Sequence, residues 1–444
     1  MADQIGNGSL RIPLAPRHQR YFDMQYALPH YFNTPSQIAV PPDLDFDAMK
    51  RAFRYVLRQH DALRLRFQRD GDAWQGFISP PDDDTQDEFE SLDLSGVAPA
   101  DRAAVMETAG ARVQGSLDLH DGPVFKVVHL DFGPRMPGRL VIIAHHMLVD
   151  GFSLTVLLED IKALYAQALA GQPFSLPPIP VSFRQWVERM HTLAQSDHMR
   201  HEYPYWQQLR EHAPAPLPVD HRHGPNDEAS LISVTRTLAV DDTIALTRHS
   251  LRKLKISIMD ALLTALAVSL RAWTGQDRLW VETTHHGRDL LPDELDLTRT
   301  VGLLTANFPV VIDIDGLASL DDIVRRVRDI RDAVPNQGAG YGVLRYMTED
   351  AVMAAGMRAV PRADVNFNYV GNVPADAPGH GPMERFGPHR HAAHPRANLL
   401  SCKAMIKGDQ LIVGWESSAN FHRPDTLARL ADDYMQCIRD IARL

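Results

Sequence analysis

The chain has 444 residues, of which 44% are hydrophobic and 23% are charged, a balance typical of folded enzymes with more than one hydrophobic core. Its formal net charge of −10 argues against a nonspecific nucleic-acid binder, so we expect no nucleic-acid partner. No apolar stretch approaches the roughly 18 residues of a membrane span. The first residues lack a secretory leader, and Cys402 and Cys437 do not make a disulfide framework. We therefore expect a cytoplasmic protein without membrane contact.

Helices and strands alternate along the chain, which predicts an α/β (α+β) fold. In the first half, apolar periodicity predicts a helix over 46–60, a hairpin of strands over 65–69 and 73–78, and a strand pair over 124–130 and 139–144. In the second half it predicts strands over 231–238 and 279–283 and helices over 257–271 and 423–444. The prolines of 171–180 cannot continue a helix. We therefore divide the chain into an N-terminal subdomain (1–172), a linker (173–186) and a C-terminal subdomain (187–444).

The stretch from His145 to Gly151 reads His-His-x-x-x-Asp-Gly and follows the apolar run 140–144. A helical pattern begins directly after it, so the two histidines are predicted at the junction of a strand and a helix. A neutral histidine in such a place can act as a general base near pH 7. Two alternatives stay open for the bare pattern. The histidines are either strand-end residues bonded to local carbonyls, or metal ligands, although adjacent histidines are poor partners on one metal.

This HHxxxDG pattern resembles the active-site motif of the condensation-domain superfamily of nonribosomal peptide synthetases. Further matches follow in the family's chain order. They are a loose Pro…Gln…Phe motif over 13–22, an H-x-x-LR-x-x-F-like segment over 60–67, a linker motif over 181–186 that ends in Trp186, and a Gly-Arg pair at 287–288. The resemblance implies two chloramphenicol-acetyltransferase-like subdomains arranged as a V-shaped pseudo-dimer.

The second half is most similar to the epimerization branch of that superfamily. Residues 301–309 resemble its VGWFTxxxP motif, 331–342 match RxxxPxxGxGYG, and 367–371 resemble FNYLG. Epimerases carry a glutamate two residues before the histidine of the HGR motif, and that carboxylate is the second acid/base group. Here Thr284 stands at that position. The nearest carboxylate, Glu282, would share its strand face about 7 Å along the strand. The absence of this second acid/base group therefore favours condensation over epimerization.

The resemblance also implies roles for individual residues. His146 would be the catalytic base, His145 would set the loop, and backbone N–H groups near Gly151 would stabilise an oxyanion. We expect Asp150 to form a bracing salt bridge with Arg288. Four further residues are candidates for the substrate tunnel: Ser153, which could instead cap the helix, and Thr284, Asn368 and Tyr369.

Two other clusters are weighed on their chemistry. Gly338, Gly340 and Gly342 match no nucleotide-binding fingerprint, so we expect them to let a loop cross the cleft closely. His389, His391 and His394 invite a metal interpretation, but a surface or crossover loop is favoured and we predict no metal. The neighbouring Arg390 and Arg396 are hypothesised to contact a phosphopantetheine phosphate.

The resemblance thus implies an activity, and we expect a free-standing condensation enzyme of secondary metabolism, in nonribosomal peptide or polyketide assembly. It would transfer an acyl group from the phosphopantetheine thioester of a partner acyl or peptidyl carrier protein to a small-molecule or carrier-bound acceptor. The chain itself would bind no cofactor, and we expect a monomer. Whether an amide or an ester forms stays open. Epimerization of a carrier-bound aminoacyl or peptidyl thioester and a noncatalytic recruitment module are the alternatives.

Overall fold

The computed structural model describes residues 8–71, 73–81, 88–212, 215–288, 295–373 and 384–444. These residues form two compact units. Unit 1 comprises Met1–Thr192, Leu291–Thr305 and Asp376–His391, and unit 2 comprises Leu193–Leu290, Ala306–Ala375 and Ala392–Leu444. The predicted division at 173–186 treats the chain as two consecutive pieces. In the structure, two later segments instead pack with the N-terminal residues, and each contributes a residue near the histidine motif, Leu304 and Arg390.

Unit 1 contains two sheets and five helices among its described residues. Its elements are β1 (Leu10–Ile12), α1 (Pro16–Asp23), β2 (Asn33–Val40), α2 (Phe46–Gln59), β3 (Leu65–Asp70), β4 (Ala73–Ile78), β5 (Phe89–Asp93), α3 (Arg102–Gln114), β6 (Phe125–Asp131), β7 (Gly138–His145), α4 (Gly151–Leu169) and α5 (Phe183–Ala194). The larger sheet has the order β2-β7-β6-β5, in which β5 and β6 are parallel, and the smaller has the order β1-β4-β3.

The predicted helix, hairpin and strand pair of the first half are confirmed. Helix α2 begins where Asp45 accepts a hydrogen bond from the Ala48 backbone, and it buries one face that includes Phe53 and Val56. This face packs against α4. Strand β7 is buried almost throughout because it is a central strand of its sheet. The histidine motif therefore directly follows a strand that is held rigidly inside its sheet.

Unit 2 contains one six-stranded sheet among its described residues. Its elements are α6 (Asp197–Gln208), β8 (Leu231–Thr237), α7 (Val240–Ile244), α8 (Leu251–Leu254), α9 (Ile258–Thr274), β9 (Arg278–His285), β10 (Ala306–Asp313), α10 (Leu320–Asp332), α11 (Ala339–Met347), α12 (Ala351–Arg358), β11 (Val365–Val373), β12 (Leu400–Lys407), β13 (Gln410–Ser418) and α13 (Pro424–Arg443). The strand order is β10-β9-β11-β12-β13-β8, and β11 runs parallel to both β9 and β12.

The predicted strands and helices of the second half are also confirmed. Helix α9 begins with a capping box, in which Ser257 and Asp260 bond each other's backbone N–H, and ends at Gly275 in the left-handed conformation. It packs against α13. Within the described ranges, no single helix has the length and hydropathy of a membrane span, although the pair Val240–Leu254 and Ile258–Thr274, bent by 97°, together would.

The prediction for the three motif glycines is wrong for two of them. Gly340 and Gly342 lie inside helix α11 rather than in a loop, whereas Gly338 precedes it with a φ of +84°. Gly340 is required by packing. A Cβ atom there would lie 2.1 Å from the Oε1 of the buried Glu202 on α6. Gly340 therefore lets α11 lie against the Glu202 side chain of α6.

Candidate active site

The histidine motif forms the connection between β7 and α4 in unit 1. His145 is the last residue of β7, and Asp150 is the N-cap of α4. Both ends are fixed by regular structure, because β7 lies inside the sheet and α4 runs for 19 residues. Short connections of this kind hold side chains precisely enough for catalysis.

Both ring nitrogens of His145 make hydrogen bonds. Its Nε2 lies 2.9 Å from the Pro29 carbonyl oxygen, and its Nδ1 accepts from the Met147 backbone N–H at 3.2 Å. A carbonyl only accepts, so the proton resides on Nε2 and the ring is neutral. Burial lowers the pKa of His145 to about 3, with small contributions from neighbouring histidines. This geometry suits a residue that holds the loop.

His146 has a partly exposed ring with one nitrogen facing a carbonyl. Its Nδ1 lies 3.2 Å from the Val149 oxygen, so Nδ1 carries the proton and Nε2 keeps the basic lone pair. The ring stacks on Phe32 with the centroids 5.5 Å apart. Desolvation by the surrounding protein, followed by the charges of Arg17 and Arg390, lowers the pKa of His146 to about 3. The imidazole is therefore neutral at physiological pH.

A third histidine, His18 on α1, supports the same loop. Its Nε2 lies 2.8 Å from the Met147 carbonyl oxygen, and the side chain is fully buried. Its ring meets Phe67 edge-to-face, with the centroids 5.0 Å apart. Burial lowers the pKa of His18 to about 4, and Arg17 lowers it further. His18 lies inside the loosely matched N-terminal motif, yet its role could not be inferred from that match.

Asp150 joins the histidine loop to a distant segment of unit 1. Its Oδ1 accepts from the backbone N–H of Ser153 at 2.8 Å, and its Oδ2 accepts from the Leu304 N–H at 3.1 Å. The helix cap considered for Ser153 is thus supplied by Asp150. Ser153 is fully buried, and its hydroxyl lies within 2.8 Å of both Asp150 Oδ1 and the Gly302 carbonyl. Contact of Ser153 with a pantetheine arm stays a prediction.

Gly151 is the first residue of α4, and the space beside its Cα atom is empty among the described residues. Its φ is not in the left-handed region, and no described heavy atom, outside its chain neighbours and the helix backbone, lies within 4 Å of an ideal Cβ built there. The local backbone therefore does not require glycine. The space beside the first turn of α4 leaves room for a substrate to approach the backbone N–H groups there.

Unit 2 carries a polar cluster on one face of its sheet. Glu282 and Thr284 project from β9 on the same side, since they are two residues apart. The Asn307 amide donates to Thr284 Oγ1 at 3.1 Å and to Glu282 Oε1 at 3.3 Å, and the Asn366 amide lies 3.4 Å from the same carboxylate oxygen. Glu282 is 5% exposed, whereas Thr284 is partly exposed.

The remaining tunnel candidates lie on the neighbouring strand. Asn368 and Tyr369 are inside β11 rather than in a turn, and both are partly exposed. The Tyr369 hydroxyl donates to Asn372 Oδ1 at 2.7 Å, and burial raises its pKa to about 12. Arg288 is buried and donates to the His286 carbonyl at 3.2 Å. Its salt bridge with Asp150, which belongs to the other unit, stays a prediction.

The histidine-rich segment 389–396 divides between the units. The backbones of His389 and His391 bond the chain at the start of β2. The Asn33 N–H donates to the His389 carbonyl at 2.8 Å, and the His391 N–H donates to the Tyr31 carbonyl at 3.3 Å. Arg396 instead belongs to unit 2, where its guanidinium lies 3.7 Å from Glu416 and 3.9 Å from Glu228. In the described part of the chain, no group of three or more His, Cys, Asp or Glu side chains is placed to hold a metal ion.

Three residues around His146 are not placed there by the sequence-based predictions: Arg17 and Phe32 are not candidates, and Arg390 is hypothesised only to contact a phosphate. Arg17 and Arg390 act on its charge, and Phe32 stacks on its ring. Arg17 lies on α1, Phe32 is the residue before β2, and Arg390 belongs to a segment more than 200 positions after the motif. Sequence spacing carries no signal for such a set, because only the folded chain brings these positions together.

Comparison with known proteins identifies the family. A family model described as the Condensation domain matches residues 12–443. A linear gramicidin synthase of Brevibacillus parabrevis is 33% identical over 440 residues, which are 97% of this chain and 6% of that protein. Chondramide synthase cmdD of Chondromyces crocatus is 33% identical over 444 residues, 97% of this chain and 11% of that protein. The chain thus spans a small fraction of these curated relatives.

Solved structures agree with the expected mixed α/β fold. The epimerization domain from the third module of tyrocidine synthetase B is 27% identical, with a TM-score of 0.89 over 100% of this chain and 98% of that one. The condensation domain of the Monacolin K polyketide synthase MokA is 15% identical, with a TM-score of 0.77 over 98% of this chain and 97% of that one, and shows the fold alone. The chain therefore belongs to the condensation-domain family of nonribosomal peptide synthetases.

Proposed function

We propose that this chain transfers an acyl group from the phosphopantetheine thioester of a carrier protein to an amine or hydroxyl acceptor. One observation carries this function: His146 is neutral and partly exposed, and its basic Nε2 is not the nitrogen facing Val149. Acyl transfer to a nucleophile needs one such base. Hydrogen bonds of His145 to Pro29 and Met147, and of the His146 backbone to Phe32, hold the histidine pair, and this arrangement favours catalysis over a purely recruiting module.

A single base is sufficient for this reaction, because the proton that it accepts is returned to the leaving group. The acceptor nitrogen or oxygen bonds to the thioester carbon while its proton moves to His146 Nε2. The tetrahedral oxyanion then collapses, the carbon–sulfur bond breaks, and the imidazolium returns the proton to the leaving thiolate. We assign oxyanion stabilisation to backbone N–H groups at the start of α4, beside Gly151, where the helix dipole is positive. The low pKa of His146 makes it a weak base, so it mainly orients the acceptor and receives the proton late.

Residues in unit 2 favour condensation over epimerization. Inversion at an α-carbon needs a second group that delivers a proton to the opposite face. Thr284 stands where epimerases carry that carboxylate, and an alcohol hydroxyl does not ionise near neutral pH, so it cannot replace a carboxylate as the second acid/base group. Glu282 is buried, and its carboxylate accepts from the amides of Asn307 and Asn366. This position suits a structural role for Glu282.

The first experiment is intact-protein mass spectrometry of an acyl-loaded carrier protein incubated with this chain and a panel of amines and alcohols. We expect loss of the acyl mass with a coupled product, abolished in His146→Ala. His120→Ala is the matched control, because His120 is an exposed histidine of the same unit that pairs with Asp121. Transfer that survives His146→Ala would contradict the assigned base.

Epimerization is the second candidate, supported by the likeness to the tyrocidine synthetase epimerization domain. It predicts that the α-hydrogen of a carrier-bound aminoacyl group exchanges with deuterium from solvent. The same mass spectrometry in deuterium oxide, without an acceptor, measures that exchange. Exchange that depends on His146, together with no transfer to any acceptor, would replace the condensation proposal.

A further inference from the structure

The imidazole of His146 is held by a single hydrogen bond among the described residues. Its Nδ1 lies 3.2 Å from the Val149 carbonyl oxygen, which is longer than the usual N–H···O distance of about 2.9 Å. One such bond fixes one ring atom but lets the ring turn about the line between nitrogen and oxygen. The basic Nε2 lies off that line. Its direction therefore depends on a second contact.

The ring of Phe32 supplies this second contact. The centroids of the Phe32 and His146 rings lie 5.5 Å apart, and their planes are inclined by only 21°. Aromatic rings at this separation attract each other in an offset stack. Turning the imidazole out of the stack would drive its edge toward the Phe32 face. The stack therefore restricts the one rotation that the hydrogen bond leaves open.

The backbone of Phe32 is itself fixed from two sides. Its carbonyl accepts from the His146 N–H at 2.8 Å, and it forms an isolated β-bridge with Arg390. The next residue, Asn33, is the first of β2, and its N–H donates to the His389 carbonyl at 2.8 Å. The Cα atom of Phe32 is thus held between the histidine loop and a later segment of the same unit.

Neighbouring side chains also fix the plane of the Phe32 ring. The Tyr21 ring meets it edge-to-face at 5.3 Å, and the Tyr26 ring stacks on it at 5.6 Å, both measured between centroids. The guanidinium carbon of Arg390 lies 4.5 Å from its centroid. A side chain that is packed in this way keeps one rotamer. Phe32 therefore offers His146 a surface that is ordered before any substrate binds.

We propose that Phe32 is a positioning residue, whose ring holds the imidazole of His146 in the orientation that directs Nε2 toward the acceptor. That this orientation serves acyl transfer rests on the proposed function. In this role Phe32 contacts the base and not the reacting atoms, so it acts through geometry. The rate of a proton transfer depends steeply on the alignment of the base. Removing the ring should therefore lower turnover and leave substrate binding nearly unchanged.

The first test measures the motion of the imidazole in the whole chain, without carrier protein or acyl donor. Protein labelled with ¹³C at Cε1 of its histidines is studied by NMR relaxation, which reports ring motion on the picosecond to nanosecond timescale. The signal of His146 is assigned by its loss in His146→Gln. We expect an ordered ring in the wild type and in Phe32→Tyr, and a clearly more mobile ring in Phe32→Leu.

Phe46→Leu is the matched control. Phe46 is also partly exposed and also contacts a histidine and a cation: its centroid lies 5.3 Å from that of His129 and 4.8 Å from Lys50 Nζ. That histidine is outside the motif, so this variant should leave the motion of His146 unchanged. Circular dichroism and thermal unfolding verify the fold of each variant. Equal His146 motion in Phe32→Leu and the wild type, or the same increase in Phe46→Leu, would overturn the proposal.

A second measurement connects the ordered ring to the reaction. Initial rates of transfer from a loaded carrier protein give kcat and KM for each variant. We expect Phe32→Leu to lower kcat about tenfold or more with KM nearly unchanged, and Phe32→Tyr to restore kcat. The decrease should be the same at every pH, because leucine retains apolar surface beside the base. A raised KM with unchanged kcat would refute positioning and assign Phe32 to substrate binding. If the wild type itself transfers no acyl group, the proposed function fails, whereas the ring motion still decides whether Phe32 orders His146.

Discussion

The Nε2 atom of His18 lies 2.8 Å from the carbonyl oxygen of Met147, and this contact connects helix α1 to the histidine loop. Because the carbonyl accepts, Nε2 carries the proton and the buried ring is neutral in the folded state. Protonation would place an additional charge in an environment that already contains the cationic Arg17. His18 therefore links the stability of the histidine loop to pH.

The first prediction is a loss of stability in mild acid. The folded-state pKa of His18 is about 4, below the ordinary value of 6.5, so the unfolded chain binds more protons between these values. The stability that His18 contributes is full above pH 6.5 and falls as the pH drops toward 4. His145, with a pKa of about 3, acts in the same direction. Urea unfolding at pH 7 and pH 5 measures the change.

Replacing His18 isolates its share of this acid sensitivity. The amide of His18→Gln can still donate to Met147, but it does not titrate. We expect this variant to lose about 2 kcal/mol less than the wild type between pH 7 and pH 5. His120→Gln, at an exposed position, should behave as the wild type. Identical pH dependence in His18→Gln and the wild type would contradict the assigned role.

The second prediction concerns a close approach between Gly302 and Phe183. A Cβ atom at Gly302 would lie 2.2 Å from Cδ2 of the Phe183 ring, and the Gly302 backbone bonds the Ser153 hydroxyl through both its N–H and its carbonyl. Gly302→Ala should therefore lower the free energy of unfolding by about 1–3 kcal/mol through overpacking. Gly96→Ala is the control, since open space surrounds that position among the described residues. Equal stability of the two variants would show that Phe183 can move aside.

The third prediction tests the buried carboxylate of Asp160 on α4, which has two partners, His60 and Arg299. Asp160 accepts from His60 Nε2 at 2.9 Å and from the Arg299 guanidinium, and its side chain is 3% exposed. Removing a buried carboxylate leaves the arginine without its counter-charge. We expect Asp160→Ala to cost about 3–5 kcal/mol in urea unfolding. The neighbouring Glu159 is exposed, and Glu159→Ala should change stability little.

Hydrophobic periodicity predicts the strand and the helix around the site, because each element depends mainly on residues close together in the sequence. The apolar run before His145 and the helical spacing after Gly151 predict β7 and α4 without knowledge of the rest of the chain. The surroundings of the histidines do not follow from such patterns. Phe32 and Arg390 reach His146 through pairing between distant segments, and hydrophobic periodicity carries no information about partners so far apart.

The glycine motif shows why a pattern can be recognised while its structure is predicted wrongly. Glycine usually indicates a turn, so the pattern predicts a loop over 338–342. Gly340 is instead a helical residue, and it lacks a side chain because the Glu202 carboxylate from α6 occupies that space. Glu202 accepts from the Trp206 indole and the Asn336 amide, which fixes its position. Only the tertiary contact distinguishes the two reasons for glycine.

The fourth prediction separates the catalytic role of Gly151 from a structural one. An alanine at this position is compatible with the backbone and finds open space among the described residues. We expect Gly151→Ala to unfold at the same or a slightly higher temperature than the wild type. Acyl transfer should nevertheless fall about tenfold or more, because a methyl group would displace the substrate from the N–H groups of α4. Unchanged transfer with unchanged stability would remove Gly151 from the site.

The fifth prediction restores a carboxylate to β9. Thr284 pairs with Asn307 across β9 and β10, and its side chain is partly exposed on the face that also carries Glu282. Thr284→Glu places an acid/base group where the epimerization branch has one. If its absence is what prevents inversion, then the variant should incorporate deuterium at the α-carbon of a carrier-bound aminoacyl group, whereas the wild type should not. Thr284→Gln, with the same shape and no titratable group, should remain inactive in this assay. Deuterium incorporation with inversion at the α-carbon by the wild type itself would show that another group already delivers the proton to the opposite face. Glu282 is the nearest carboxylate on the strand, and condensation would then no longer be the favoured reaction.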